Sequence, residues 1–197
     1  SVELINAANY GTPQLRERVV FLGSRDGFQV TMPTGDYGRD GSAFQRRLRN
    51  LRDALEGLHD PSPESQAFSP SRLRFLKLLS EGQNWRNLPS HLQKEAMGGA
   101  YDSGGGKVGF YRRLSFDKPC PTVPTSPIQK STSLCHPTEL RPLSVREYAR
   151  VQQFPDDWFF SGPIAAKYKQ IGNAVPVGLG FVIGKVLLRY LENYEEA

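Results

Sequence analysis

Several groups of side chains in this 197-residue chain could do chemistry, and their spacing decides which kind. Cys120, between Pro119 and Pro121, offers a thiol. A reactive thiolate needs an electropositive setting, and here the neighbours are prolines and Lys118. Cys135-His136 is a single pair with no second pair at zinc-ligand spacing, so no metal site is expected. The run Gly178-Leu179-Gly180-Phe181-Val182-Ile183-Gly184 is glycine-rich, yet its G-x-G-x-x-x-G spacing falls inside a helical pattern rather than after a strand. It reads as small residues for close helix packing, not as a dinucleotide-binding loop. Arginines remain. Arg16 and Arg18 stand ahead of an apolar run, and Arg141, Arg146 and Arg150 surround Glu147. Guanidinium groups are suited to charge-assisted hydrogen bonds with anionic oxygens.

The elements that must position these groups are short. Arg18 to Gly23 is β-branched and apolar and reads as a buried strand, preceded by a loop over Asn6 to Gln14. Glycine recurs without apolar periodicity from Asp26 to Ser42, which reads as a linker. Phe44, Leu48, Leu51, Leu55 and Leu58 then lie on one helical face, ended by Gly57 and Asp60-Pro61-Ser62-Pro63. A second helix opens at Ser69-Pro70 and runs through Leu79 to Gly82, with Arg72, Arg74 and Lys77 facing solvent. A third fits Ser90 to Met97. Residues 100–137, rich in glycine and proline, lose periodicity. Ser144-Val145-Arg146-Glu147 is a capping box that opens a helix to about Phe154. A short helix over Pro163 to Ile171 and a final one from about Pro176 to Tyr194 follow, the last with a broad apolar face.

Composition limits the partners. The chain has room for one domain or a domain and a half, with 38% hydrophobic residues and a mean hydropathy of -0.48. The longest nearly apolar run, Ala174 to Gly184, is shorter than the roughly 20 residues of a bilayer span, and the first residues do not resemble a secretion signal. A cytosolic location is therefore expected. Net charge is +5. Residues 39–136 hold 15 Lys+Arg against 9 Asp+Glu, so the whole excess belongs to the middle of the chain. A polyanion such as DNA is the natural partner for that segment.

Three blocks give this order a meaning. Tyr10-Gly11-x-Pro13-Gln14-x-Arg16-x-Arg18 lies near the start. Arg141-Pro142-Leu143-Ser144-x-Arg146-Glu147 through Gln152-x-Phe154-Pro155-Asp156 and then Gln170-Ile171-Gly172-Asn173-Ala174-Val175-Pro176 lie near the end. Together they resemble the C-terminal half of DNA (cytosine-5) methyltransferases, as that family's eighth, ninth and tenth motifs flanking a variable basic region. The family's glycine loop, Pro-Cys nucleophile and Glu-Asn-Val acid precede the eighth motif, where this sequence has only Ser1 to Ile5. The resemblance therefore implies half an enzyme, inactive without an N-terminal counterpart, with Cys120 on the wrong side of the eighth motif to be the nucleophile.

The resemblance implies an α/β fold: the C-terminal portion of a Rossmann-like, S-adenosylmethionine-dependent methyltransferase domain plus a small target-recognition domain. Residues 1–30 and 160–197 would belong to the catalytic domain, and residues 31–159, ninth motif included, to target recognition. Arg16 and Arg18 would hold O2 of the extruded cytosine or a nearby phosphate. Gln14 would order their loop. Asn173 and Ala174 would line the S-adenosylmethionine site. Thr122, Arg112 and Arg113 would contact double-stranded DNA, and Arg141, Arg146, Glu147 and Arg150 would form a structural ion-pair network. The implied setting is bacterial restriction–modification, in the cytoplasm and on the nucleoid through DNA. Two rivals are a non-enzymatic DNA-binding specificity subunit and a transfer-RNA cytosine-5 methyltransferase relative. If the basic middle region grips phosphates, duplex affinity should fall roughly tenfold or more between low and physiological salt, and a flat salt titration would overturn the DNA reading of the charge.

Overall fold

In a computed structural model describing residues 1–38 and 45–195, the chain opens with an antiparallel hairpin. Strand β1 (Val2–Asn6) is followed by a 3-10 turn (Ala7–Tyr10), β2 (Gln14–Leu15) and β3 (Glu17–Phe21). β1 pairs with β3, Val2 opposite Phe21 and Leu4 opposite Val19. The Asn6 side chain closes the loop between them by accepting hydrogen bonds from the backbone N–H groups of Ala8 and Arg16. The apolar run after Arg18 is a strand, but it is not buried. Val2, Leu4, Val19 and Phe21 share one face and are 65%, 70%, 54% and 74% exposed. The sequence pattern carries no information about what covers a sheet, and among the described residues nothing covers that face. Beneath the hairpin, Ile5 and Leu22 pack with Val30, Met32 and Leu179.

The middle of the chain departs from its helical periodicity. β4 (Tyr37–Gly38) pairs in parallel with β5 (Arg46–Arg47), and helix α1 covers only Leu51–Leu55. The helix expected from Phe44 to Leu58 is thus cut down. Asn50 and Asp53 form a capping box that fixes its start, and Gly57 at a φ of 67° takes the chain away from it. Phe44 itself lies outside the described residues. Helix α2 (Pro70–Leu76) begins as expected but ends before Leu79, and α3 (Ser90–Met97) has the expected bounds. β6 (Cys120–Pro121), α4 (Val145–Val151), α5 (Ile164–Asn173) and α6 (Val177–Glu195) complete the order. β6 pairs in parallel with β2, Gln14 opposite Cys120, which ties the chain start to the end of the basic region.

Three cores hold these pieces. Leu51, Cys120, Val123, Leu134, Leu143, Tyr148, Tyr168 and Ile171 form the largest, so α1, α4 and α5 share one interior. A second, around Phe75, Leu76, Trp85, Met97 and Tyr111, belongs to residues 68–135, and the third joins the hairpin to α6. The stretch Ile164–Glu192 contains an 18-residue window of mean hydropathy 1.7, long and apolar enough by length and composition to cross a membrane. The backbone breaks helix at Ala174–Pro176 inside that stretch. Leu179 is buried in the third core with Val182, Ile183 and Val186 packed beside it, while Phe181, Leu188 and Leu191 remain exposed on α6.

The ninth-motif charges form a lattice. Arg141 grips the buried Glu147 with two bonds of 2.7 and 2.9 Å and also reaches Glu139 at 2.8 Å. Glu147 accepts a 2.7 Å bond from the Ser144 N–H, completing the capping box of α4. Arg150 pairs with Asp156 and donates to the carbonyl of Glu56 at 3.0 Å, fastening α4 to the end of α1. Arg146 stands apart, donating to the Trp158 carbonyl rather than to a carboxylate. His136 lies beside Glu147, its Nδ1 accepting from the N–H groups of Thr138 and Glu139. Burial holds its pKa below the ordinary histidine value, with Glu147 opposing. A histidine with a depressed folded pKa takes up protons more readily when unfolded. Its contribution to stability is therefore full above the ordinary histidine pKa and is lost as pH falls from there through the depressed folded value. Arg141→Ala would leave Glu147 buried and unpaired, and should cost about 3–5 kcal/mol, read as a loss of melting temperature far larger than that of Arg146→Ala.

Candidate base and cofactor site

Buried side-chain amides bring the motif blocks together. Gln14, fully buried on β2, donates through Nε2 to Oε1 of the fully buried Gln152 at 2.9 Å. Gln152 follows the last turn of α4 and donates in turn to the carbonyls of Ile171 (2.7 Å) and Ala174 (3.1 Å). On its other side, Gln14 Oε1 accepts from the Val123 N–H at 3.0 Å and from Arg16 at 3.4 Å. Four stretches far apart in sequence thus share one hydrogen-bond relay. Gln153 repeats the device one residue on. Its Oε1 accepts from Thr12 Oγ1 and the Gly178 N–H, and its Nε2 donates to the Gly11 carbonyl. Gln153 adopts a φ of 65°, an uncommon conformation for a residue with a side chain, which these bonds offset.

Arg16 belongs to the same relay. It is 5% exposed, and its guanidinium donates to the carbonyls of Val123 (3.3 Å) and Gly172 (3.0 Å) as well as to Gln14. Burial first, then repulsion from Arg18, lowers its pKa to about 10, so it stays charged at neutral pH. Gly172 is needed where it stands, because a Cβ there would come within 2.2 Å of the Pro124 carbonyl oxygen. Arg18 differs completely. It lies on the exposed β3, and among the described residues its side chain makes one hydrogen bond, to the neighbouring Glu17 carbonyl.

The remaining candidates divide in the same way. Asn173, the last residue of α5, is exposed, and its amide makes no hydrogen bond among the described residues. Ala174 is half-buried. Its N–H is bonded to the Ile171 carbonyl, and its own carbonyl is taken by Gln152. Thr122 is exposed, but its hydroxyl donates to the Leu15 carbonyl at 2.7 Å. Arg112 donates only through Nε, to Val108. Arg113, read from the sequence as a DNA contact, is turned inward. It is 8% exposed and donates to the carbonyls of Pro137 (3.1 Å) and Leu79 (3.0 Å), so meeting a phosphate would strip two buried acceptors. Cys120 is 1% exposed, and burial pushes its thiol up to about 12. Among the described residues no three His, Cys, Asp or Glu side chains gather as a metal site.

The family profile described as C-5 cytosine-specific DNA methylase matches residues 1–189. The chain belongs to that family. Among its methylase relatives, the type II methyltransferase M.Eco47II of Escherichia coli is 42% identical over 96% of this chain, and M.Sau96I of Staphylococcus aureus is 44% identical over 97%. The chain spans about half the length of these relatives, 45% and 43%. A solved Escherichia coli prophage-encoded structure, assigned as a DNA modification methyltransferase, superposes with a TM-score of 0.57 over 98% of this chain and 60% of that one. At 22% identity it shows the shared methylase fold.

Within this methylase chain, sequence reading missed Gln152, Gln153 and Thr12. Gln152 does stand in the ninth-motif block, and an amide flanked by the apolar Val151 and Phe154 was the available signal. Two outcomes follow from the relay. Gln152→Leu leaves the Gln14 amide and two carbonyls without partners in a dry interior, and should cost roughly 3 kcal/mol, measurable by chemical denaturation. In the native chain at pH 8, Cys120 should react with a thiol reagent orders of magnitude more slowly than in the unfolded chain, because so little of it is thiolate.

Proposed function

We propose that this chain forms the target-recognition part and one wall of the base and cofactor site of a cytosine-5 DNA methyltransferase. The whole enzyme would transfer a methyl group from S-adenosylmethionine to C5 of cytosine in a specific duplex sequence, in restriction–modification. The observation that carries this reading is the convergence of the eighth, ninth and tenth motif blocks, with the end of the basic region, on the Gln14–Gln152 relay. A DNA-binding protein without methyl transfer has no use for a tenth-motif segment held in register with the eighth.

The division of labour follows from what each side chain has left to offer. Arg18 is exposed and has no acid partner among the described residues, and is our candidate for holding O2 of the extruded base or a flanking phosphate. Arg16 positions it, by fixing the strand start to Val123 and Gly172. The free amide of Asn173 suits the carboxylate or amino end of S-adenosylmethionine, while Ala174 shapes the turn through a backbone already bonded. S-adenosylmethionine, when bound, supplies an electrophilic methyl group. Residues 1–30 and 160–197 would serve the catalytic domain and residues 31–159 target recognition.

An N-terminal methyltransferase segment, in the same chain or a separate one, would bring the nucleophile and the acid. The exposed face of Val2, Leu4, Val19 and Phe21 and the outer side of α6 are the surfaces it would cover. A bacterial cytoplasm, with attachment to the nucleoid through DNA, is the setting this implies.

The test is methyl transfer from tritiated S-adenosylmethionine to duplex DNA by the chain alone and combined with such a segment. Activity only in the combination is expected, and activity of the 197 residues alone would overturn the division. In the active combination, Arg18→Ala should reduce turnover by roughly 10- to 100-fold, as loss of a charge-assisted bond does, with melting almost unchanged for so exposed a residue. Equal losses in both would return Arg18 to a structural role.

A further inference from the structure

A cleft of ≈ 230 Å³ opens where Leu15 of β2 meets the basic region. Leu15, Val108 and Pro121 give it apolar walls, and Asn84, Arg112, Ser115 and Lys118 are among its polar side chains. No carboxylate lines it. Arg113 borders it as well, but its guanidinium is spent on the carbonyls of Pro137 and Leu79.

The two remaining cations are unspent. Arg112 is held in place by its Nε bond to the Val108 carbonyl, and neither of its terminal nitrogens makes a hydrogen bond among the described residues. It has no ion-pair partner there, although burial removes it from water enough to lower its pKa. The nearby Cys120 thiol is held neutral and offers no counter-charge. Gly109 makes room for this arginine: a Cβ would sit 3.1 Å from Nη2 of Arg112 and 2.1 Å from the Ser131 carbonyl oxygen. Lys118 is exposed and likewise has no carboxylate partner among the described residues. Its backbone is fixed, because its carbonyl accepts from the Leu51 N–H that opens α1. Thr122 lies one residue beyond Pro121, at the same seam.

We infer that this cleft receives one sugar–phosphate unit of the DNA, its phosphate between Arg112 and Lys118 and its deoxyribose against Leu15 and Pro121. Two cations facing one cavity repel each other unless a full negative charge lies between them. A base edge, with its partial charges, neutralises neither. The cleft thus positions the duplex rather than reads it. This rests on the DNA-methyltransferase reading above, and it adds Lys118 to the DNA-facing residues.

Fluorescence anisotropy with labelled duplexes over a salt series, using the full chain, tests it. Arg112→Gln and Lys118→Gln should each weaken binding roughly three- to tenfold at physiological salt, to the same degree for any duplex sequence. Each should also reduce the slope of log Kd against log salt by about 1. Lys118 is exposed, so its variant tests the cleft even if Arg112→Gln fails to fold; melting curves separate the two cases. An unchanged slope, or a loss confined to one duplex sequence, overturns the inference. If the unsubstituted chain binds no duplex DNA, the cleft and the DNA reading fall together. If it binds and both variants keep its slope, the cleft alone falls.

Discussion

A single buried amide-to-amide bond, Gln14 to Gln152, is the constraint on which the rest of the chain depends. Primary amides suit the task because each offers both donors and acceptors without charge, so a chain of them can run through a dry interior. A carboxylate in place of Gln152 would face the backbone carbonyls of Ile171 and Ala174, and an apolar side chain there would leave them unpaired. The parallel pairing of β2 with β6, the seating of Gly172 on Pro124 and the bonds of Arg16 all lie within a residue or two of this bond. The strand pairing and the Arg16 bonds join parts of the chain more than a hundred residues apart.

The arginines show how one residue type is divided between holding and presenting. Arg16, Arg72 and Arg113 are turned onto backbone carbonyls, where a guanidinium can satisfy several acceptors at once. Arg141 and Arg150 hold carboxylates. Arg18 and Arg112, with Lys118, have no carboxylate partner among the described residues. Within the middle segment, fewer cations are therefore free to meet an anion directly than the residue count suggests, since Arg72 and Arg113 are turned onto carbonyls.

The hairpin and α6 express a different constraint. Their inner faces make a real core, with Ile5, Leu22 and Leu179 buried, while their outer faces keep large apolar side chains in water. That two-sided apolarity is what a layer inside a larger sheet-and-helix sandwich requires. It agrees with a chain that spans about half the length of its relatives.

What the sequence determined by itself was local or ordered along the chain: the succession of motif blocks, the capping box of α4, the bounds of α3, and, of the charges around Glu147, its pairing with Arg141. Each rests on contacts within a few residues, or on residue types that remain visible in a string. Tertiary structure decided the rest. Arg112 and Arg113 are adjacent and chemically identical, yet one faces a cleft and the other is buried, because only the path of the backbone past Leu79 and Pro137 fixes which carbonyls are in reach. The leucine period from Phe44 to Leu58 promised a longer helix than the capping box at Asn50 permits. β1 and β6 were invisible because a strand of two to five residues is made by its partner. Gln152 could be quoted as part of a motif, but its role could not, since all its partners lie on other elements and come together only when the chain folds.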